Sequence, residues 1–156
     1  MNGGVPRGLA TAQLAPAFQH ALRVYWEDTD AGGVVFYANY LKFFERARTE
    51  WLRALGVGQQ ALRETSGAIF VVSDTALRYL APARLDDLLH ISVQPVETGR
   101  ASMTLQQQAW RHNAEPTAPT LLCDGRIRIG CVDAQSLRPR RFPDQISQAI
   151  HQRIHQ

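Results

Sequence analysis

Residues 24–40 read VYWEDTDAGGVVFYANY, and the rest of the chain is organised around this stretch. It begins as a strand and continues through an acidic turn that carries Asp28 and Asp30. The pair Gly32-Gly33 follows, and the chain then enters a helix. The free N–H groups and the dipole of a helix N-terminus favour negative charge. The stretch therefore predicts a carboxylate base next to a site where negative charge can develop.

Residues 41–55 read LKFFERARTEWLRAL and continue this helix to its expected end at Gly56, because a left-handed glycine commonly stops a helix. With about 100° of rotation per residue, one broad side of the helix is apolar. The apolar side comprises Tyr40, Leu41, Phe43, Phe44, Ala47, Trp51, Leu52, Ala54 and Leu55. A helix of about 17 residues with so wide an apolar side needs a sheet to wrap around it.

Arg48 is the exception on this helix, since it lies between Phe44 and Trp51 on the apolar side. One interpretation is an arginine at the edge of the stripe, with a buried stem and a head in water or in an ion pair. The other interpretation is an arginine that anchors a carboxylate or a neighbouring subunit. The sequence leaves both open.

The composition indicates one globular domain. The chain has 156 residues, of which 45% are hydrophobic and 20% are charged, so it can bury a core. A formal net charge of +3 is weak evidence for nucleic acid but is compatible with a phosphorylated ligand. We therefore expect no nucleic-acid partner.

The cysteines and the hydropathy bear on the cellular compartment. Cys123 and Cys131 are eight positions apart, so along a straight strand they lie about 26 Å from each other and cannot pair. This favours a reducing compartment. No apolar run reaches the length of a membrane span, and the N-terminal residues lack the apolar region of a secretory signal. The sequence thus predicts a cytoplasmic protein with no transmembrane segment.

The order of elements predicts an α+β fold. Residues 1–17 show no period and are expected to form a disordered or flexible arm, and residues 18–156 to form a single domain. A first strand within residues 18–26 is expected to place Leu22, Val24 and Trp26 on one face. Period-two patterns predict four more strands, at 69–80, 88–96, 101–110 and 121–132, with Leu121 and Cys123 inward in the last. Short helices are expected at 59–65 and from Asp144, and the short loops favour an antiparallel sheet.

The chemistry concentrates on Asp30. Because Asp28 and Asp30 are two positions apart, they point in opposite directions in an extended turn, and only one faces a given pocket. Ala31-Gly32-Gly33, directly after Asp30, lets the backbone approach a ligand closely. Gly33 and Val34 are the candidate substrate-binding residues. A carboxylate beside free helical N–H groups suits acyl transfer. The alternative is an acidic turn that only caps the helix.

Other reaction types find less support. No Gly-x-Ser-x-Gly motif, phosphate-binding loop or dinucleotide fingerprint is present, and the five histidines are scattered. Arg100, which follows the hairpin glycine Gly99, is a candidate contact for phosphate groups; the alternative is a solvated surface charge.

Three segments together carry a resemblance to a known family. Residues 27–50 contain EDTDAGGVV, ANYL and FERARTE, residues 79–87 read YLAPARLDD, and CVD at 131–133 precedes an Arg-Pro-Arg tail. This combination closely resembles the hot-dog-fold acyl-CoA thioesterases of the YbgC type. These are relatives of 4-hydroxybenzoyl-CoA thioesterase and are associated with the bacterial Tol–Pal system. The resemblance covers roughly residues 20–145.

The resemblance implies a long helix wrapped by a five-stranded antiparallel sheet, in homodimers with continuous sheets and commonly in a dimer of dimers. It implies that Asp30 is the catalytic nucleophile or general base, and that the backbone N–H of Tyr37 binds the thioester oxygen. It places the active site at the dimer interface and Arg100 near the phosphates of CoA. No metal or redox cofactor is implied.

One departure concerns the substrate. Many YbgC-type sequences have histidine at the position of Tyr37, whereas the 4-hydroxybenzoyl-CoA relatives have tyrosine. The acyl group is therefore open between short aliphatic and aromatic, and the carrier between CoA and acyl carrier protein. Two alternative functions are a hot-dog hydratase or dehydratase and a non-catalytic acyl-CoA or acyl-carrier-protein binding protein of the cell envelope. The first lacks its Gly-His-Phe-Pro type of motif, and the retained Asp30 disfavours the second.

Overall fold

The computed structural model describes residues 18–154, so the arm expected at residues 1–17 lies outside the described residues. The elements are β1 (Phe18–Arg23), α1 (Asn39–Ala54), α2 (Gln59–Ser66), β2 (Ala68–Tyr79), β3 (Leu88–Thr98), β4 (Ser102–Arg111), β5 (Thr120–Asp133) and α3 (Asp144–Ile154). A short 3-10 turn, Trp26–Asp28, lies between β1 and α1. No helix within residues 18–154 is both long enough and apolar enough to cross a membrane.

The strands form one five-stranded antiparallel sheet in the order β1-β3-β4-β5-β2. Strands β3, β4 and β5 form its centre, because each has neighbours on both sides. Strand β1 closes one edge, and the twelve-residue strand β2 forms the other. The predicted α+β class with an antiparallel sheet is confirmed.

Helix α1 lies across the inner face of this sheet, against β1, β3 and β4. Its buried residues are Tyr40, Phe43, Phe44, Ala47, Trp51 and Leu52. A Cβ at Gly125 of β5 would lie only 3.0 Å from Phe44 Cε2 and 2.7 Å from Leu77 Cδ2. The absence of a side chain at Gly125 therefore lets the helix approach the sheet closely.

Helix α1 is close to its predicted extent. It has 16 residues, and Gly56 has φ of +85°, the left-handed conformation expected after its end. Its apolar side is narrower than predicted, since Leu41 is 43% exposed and Ala54 is also exposed. The predicted stripe included residues that lie at its margins, where the sheet no longer covers the helix.

Two predicted side-chain directions are wrong. Trp26 is 81% exposed, because β1 ends at Arg23 and the 3-10 turn that follows interrupts the strand alternation. In β5, Leu122 and Cys123 are both fully buried, whereas Leu121 is only half-buried. A register shift opposite Ala109 breaks the alternation there, as a β-bulge does.

Candidate active site

The turn at Asp30 is closed by its own backbone and side chain. Asp30 N–H donates to the Val34 carbonyl at 2.9 Å, and Gly33 N–H donates to the Asp30 carbonyl at 3.0 Å. Asp30 Oδ1 accepts from Gly32 N–H at 2.8 Å and from Val34 N–H at 3.4 Å. Gly33 has φ of +80°, which a glycine adopts without strain. The turn thus fixes the Asp30 carboxylate while leaving the residue exposed to solvent.

Asp28 has a different role in the same loop. It is 8% exposed, and its Oδ2 accepts from Tyr25 N–H at 2.8 Å. Its carbonyl oxygen accepts from Phe36 N–H and from Asn39 Nδ2, both at 2.9 Å. Asp28 therefore ties the loop to the first turn of α1, and Asp30 is the carboxylate that a ligand can reach.

The segment after β2 holds the loop from the other side. Val35 N–H donates to the Ala83 carbonyl at 2.8 Å, and Val34 and Arg84 form an isolated antiparallel bridge. Asp87 Oδ2 in turn accepts from Arg84 N–H at 2.8 Å. Residues 81–87, the APARLDD segment, thus clamp the residues that follow Asp30.

Tyr37 lies where the loop enters α1. Its backbone N–H has no hydrogen-bond acceptor within the described part of the chain. Ala38, the next residue, already has helical φ and ψ of −72° and −18°. The Tyr37 N–H is therefore a free donor at the positive end of the helix dipole.

Aromatic side chains surround this free donor. The rings of Phe36 and Tyr37 lie 4.9 Å apart, and those of Tyr37 and Tyr79 lie 6.2 Å apart. Tyr79 Oη donates to the Tyr37 carbonyl at 3.0 Å. Burial raises the pKa of Tyr79, so its hydroxyl remains a proton donor at neutral pH. The Tyr37 ring itself is 63% exposed.

The cysteines are core residues. Cys123 and Cys131 are both fully buried. Burial raises the pKa of the Cys123 thiol to about 12 and also raises that of Cys131. Neither thiol ionises near neutral pH, so neither supplies a thiolate nucleophile.

The structure brings four of the five predicted site residues into one loop and leaves Arg100 apart. Asp30, Gly33, Val34 and Tyr37 all belong to the segment between β1 and α1. This segment contacts Tyr79, which pairs with Cys123 of β5.

Arg100 lies in the β3–β4 hairpin, and Ser102, two residues on, pairs with Gly130 at the other end of β5. The seven positions from Cys123 to Gly130 span about 24 Å.

A cavity near this far end was not predicted from the sequence. It has a volume of about 210 Å³ and lies between α1, α2, β2 and β5. Arg48 lines it, and the Arg48 guanidinium donates a hydrogen bond to the side chain of Gln107 in β4. Strict alternation in β4, with Leu105 and Ala109 inward, would have identified Gln107 as a buried polar side chain.

Residues 24–150 match the family model described as the thioesterase-like superfamily. The chain belongs to this superfamily. It is 41% identical over 138 residues to the acyl-CoA thioesterase YbgC of Haemophilus influenzae, covering 88% of this chain and 97% of that protein. It is 44% identical over 129 residues to the acyl-CoA thioester hydrolase YbgC of Escherichia coli O6:H1, covering 83% and 92%. The resemblance to YbgC-type thioesterases is thereby confirmed.

Solved structures agree on the fold of this superfamily member. The crystal structure of a 1,4-dihydroxy-2-naphthoyl-CoA thioesterase from Synechocystis superposes with a TM-score of 0.77 at 20% identity. The match covers 86% of this chain and 96% of that one. The predicted hot-dog fold is confirmed.

Proposed function

We propose that this protein hydrolyses acyl-CoA thioesters to the free acid and CoA. The observation that carries the proposal is the pairing of an exposed, fixed carboxylate at Asp30 with the free N–H of Tyr37 at the start of α1. The carboxylate can attack the thioester carbonyl carbon or activate water, and the N–H can stabilise an oxyanion. The curated YbgC relatives, named as acyl-CoA thioesterases, support the same activity.

In the reaction, the Tyr37 N–H would donate a hydrogen bond to the thioester oxygen and polarise the carbonyl group. Asp30 then acts in one of two ways. As a nucleophile it adds to the carbonyl carbon, the C–S bond breaks, CoA leaves as the thiolate, and water cleaves the resulting anhydride. As a general base it removes a proton from water, whose oxygen adds to the same carbon before the C–S bond breaks.

The two routes differ in where oxygen from solvent goes. In a single turnover in H₂¹⁸O, the nucleophilic route places ¹⁸O in the Asp30 carboxylate and ¹⁶O from Asp30 in the acid when water attacks the Asp30 carbonyl of the anhydride. The general-base route, like attack of water on the acyl carbonyl of the anhydride, places ¹⁸O directly in the acid. Detection of ¹⁸O by mass spectrometry in the peptide that contains Asp30 would therefore establish the nucleophilic route.

The proposal includes a homodimer formed through β2. This strand is a twelve-residue edge strand, and Val71 and Val72 near its start are 37% and 50% exposed. Such an edge favours pairing with a second copy, and a two-fold axis makes that pairing antiparallel. The start of β2 in one protomer then lies beside the end of β2 in its partner. The partner's Arg100 would thereby approach the Asp30 loop and the phosphates of a bound CoA.

The acyl group and the carrier remain part of the proposal. The aromatic rings around Tyr37 suit a flat or short acyl group, and the Synechocystis neighbour is named for an aromatic acyl-CoA. A panel of aliphatic and aromatic acyl-CoAs, each also loaded on acyl carrier protein, would establish both preferences. Thiol release is the readout.

The decisive variant is Asp30→Asn, which keeps the shape and removes the base. We expect turnover by the unmodified protein and a loss of about 10²-fold or more in the variant. Glu64→Gln makes the same change at an exposed carboxylate of α2 and should retain full activity. Equal rates in Asp30→Asn and the unmodified protein would remove Asp30 from the mechanism. CoA binding without turnover of any thioester would identify a binding protein instead.

A further inference from the structure

Arg48 is held in place by a buried amide. Its Nη1 donates to Gln107 Oε1 at 2.9 Å, and Gln107 is fully buried. Gln107 Nε2 donates to the Phe44 carbonyl at 3.0 Å and to the Ser92 carbonyl at 3.4 Å. These bonds fix which way the amide points, so its oxygen faces the guanidinium. Gln107 is thus a positioning residue for Arg48.

The guanidinium has no counter-ion among the described residues. Within residues 18–154, no carboxylate oxygen lies within 4.0 Å of an Arg48 nitrogen. Glu45 interacts with the guanidinium only by electrostatic attraction at a distance, and Glu45 Oε1 accepts a hydrogen bond from Thr49 Oγ1 at 2.9 Å. An arginine carries five N–H donors, and Gln107 uses one of them. A half-buried cation with one hydrogen bond and no counter-ion is costly unless another group completes its coordination.

The cavity in front of Arg48 has the character of a small-ligand site. Its volume is about 210 Å³. The apolar part of its wall is formed by Leu52, Phe70, Val71, Val72 and Ile129. Arg48 supplies the cationic part, while Glu45 is exposed and therefore more strongly screened by water. An apolar wall with one fixed cation suits a chain that is apolar along its length and anionic at its far end.

The position of the cavity connects it to the proposed active site. Within one chain, Phe70 and Val72 at the cavity lie near the start of β2, whereas Tyr79 at its end contacts Tyr37. Antiparallel pairing of two β2 strands about their midpoint places Phe70 opposite the partner's Leu77. The Arg48 cavity of one protomer then adjoins the Asp30 loop of the other.

We propose that Arg48 is a specificity-determining residue that binds a carboxylate at the far end of the acyl group. The substrates of the partner's Asp30 would accordingly be CoA thioesters of short dicarboxylic acids. The inference rests on the proposed thioesterase function and deepens it by naming the substrate class. Arg48 makes no contact with the reacting carbon, so its effect falls on the choice of substrate.

The test compares two thioesters of similar shape. Glutaryl-CoA carries a terminal carboxylate, and 5-methylhexanoyl-CoA has a branched apolar end in its place. The readout is the ratio of their kcat/KM values, after subtraction of the rate without enzyme. We expect the unmodified protein to prefer glutaryl-CoA by about tenfold or more, as a hydrogen-bonded ion pair provides.

Arg48→Gln should reduce this ratio by about 10-fold to 100-fold, and Arg48→Lys should retain part of it. Arg46→Gln makes the same change on the exposed side of α1 and should leave the ratio as it is. If Arg48 only supported the fold, both thioesters would lose the same factor in Arg48→Gln. That result, or no preference in the unmodified protein, would overturn the inference while the thioesterase function stands. No turnover of any thioester would overturn both.

The shared site makes a further prediction about mixed dimers. An Asp30→Asn chain and an Arg48→Gln chain can be co-expressed with different tags and purified as a heterodimer. If Asp30 and Arg48 act across the interface, this heterodimer has one intact site. If they act within one chain, it has none. We expect about half of the unmodified activity on glutaryl-CoA from that heterodimer, because one of its two sites is complete. Activity no higher than that of the single variants would contradict the arrangement.

Discussion

Gly32 is the residue that gives the Asp30 carboxylate its place. A Cβ at this position would lie 3.1 Å from Asp30 Oδ1, so Gly32→Ala should displace the carboxylate by a few tenths of an ångström or more. We expect kcat/KM to fall by about tenfold or more, because small misplacements of a catalytic group are costly. The melting temperature should change little, since the turn is exposed.

Gly58→Ala is the matched control for this change. Its new Cβ would meet only Ala61 Cβ at 3.9 Å, an ordinary contact. Activity should therefore be retained. If Gly32→Ala has full activity with a normal melting temperature, the position of Asp30 is less critical than the hydrogen bonds of the turn indicate.

Two buried side chains with weakly acidic groups, Tyr40 and Cys123, make the free energy of unfolding depend on pH in the alkaline range. Burial raises the pKa of Tyr40 from 10.0 to about 12 and that of Cys123 from 9.0 to about 12. Both pKa values are higher in the folded than in the unfolded state, so the protonated side chains favour the folded state. Their contribution to the free energy of unfolding is complete below about pH 9 and is lost as pH rises toward 12. The free energy of unfolding, measured by urea titration, should decrease across that range.

The variant Tyr40→Phe separates the two contributions. It should flatten the upper part of the pH profile, from about 10 to 12, and leave the effect of Cys123. A profile with the same slope in Tyr40→Phe and in the unmodified protein would mean that Tyr40 ionises as freely in the folded state as in the unfolded state.

At the scale of single residues, the sequence predicted the acidic turn but not the segment of the chain that contacts it. The two-residue spacing of Asp28 and Asp30 was enough to expect that only one faces a ligand. The role of the APARLDD segment depends on a backbone bond from Val35 to Ala83, which are 48 positions apart. Side-chain chemistry in the sequence carries no signal for such a contact.

Gly125 decides how closely α1 packs on the sheet. Gly125→Ala would place a Cβ 2.7 Å from Leu77 Cδ2 and 3.0 Å from Phe44 Cε2. Overpacking of this kind costs about 1–3 kcal/mol, so the urea midpoint should fall with an unchanged slope. Gly130→Ala in the same strand meets Val71 Cγ2 only at 3.8 Å and should be nearly neutral. Equal stability in both variants would show that α1 can shift without cost.

The elements themselves were largely predictable, because helix and strand periods are local properties. All five strands were expected within a few residues of their observed bounds, and α1 ends where Gly56 indicated. Their order in the sheet was not predicted, since alternation does not say which strand edges pair. The errors at Trp26 and Leu121 have one cause: a turn or bulge interrupts the period, and a uniform alternation rule continues through it.

At the scale of the whole molecule, the five predicted site residues do not come together within the described part of one chain. The Asp30 loop contacts Tyr79, which pairs with Cys123 of β5. Arg100 lies two residues before Ser102, which pairs with Gly130, about 24 Å farther along β5. The Arg48 cavity lies at the Arg100 end. The sequence of a single chain carries information on the exposed β2 edge but none on what pairs with it. The expectation of a site between subunits came from the family resemblance alone.

Disruption of the β2 edge therefore tests the assembly and the site together. Thr75 lies near the middle of β2 and is exposed, and it does not line the Arg48 cavity. Thr75→Lys places a charge on that edge, which opposes pairing between strands. We expect light scattering to show a monomer and kcat/KM to fall by about 10²-fold or more, since neither site is then complete.

Thr98→Lys makes the same substitution at the exposed end of β3 and should leave both mass and activity as they are. Because dimerisation depends on concentration, the activity per chain of Thr75→Lys should recover as protein concentration rises. A direct effect of the lysine on chemistry would instead give a low activity at every concentration. A monomer with full activity would place the complete site within one chain, and Arg48 and Arg100 would then have no part in it.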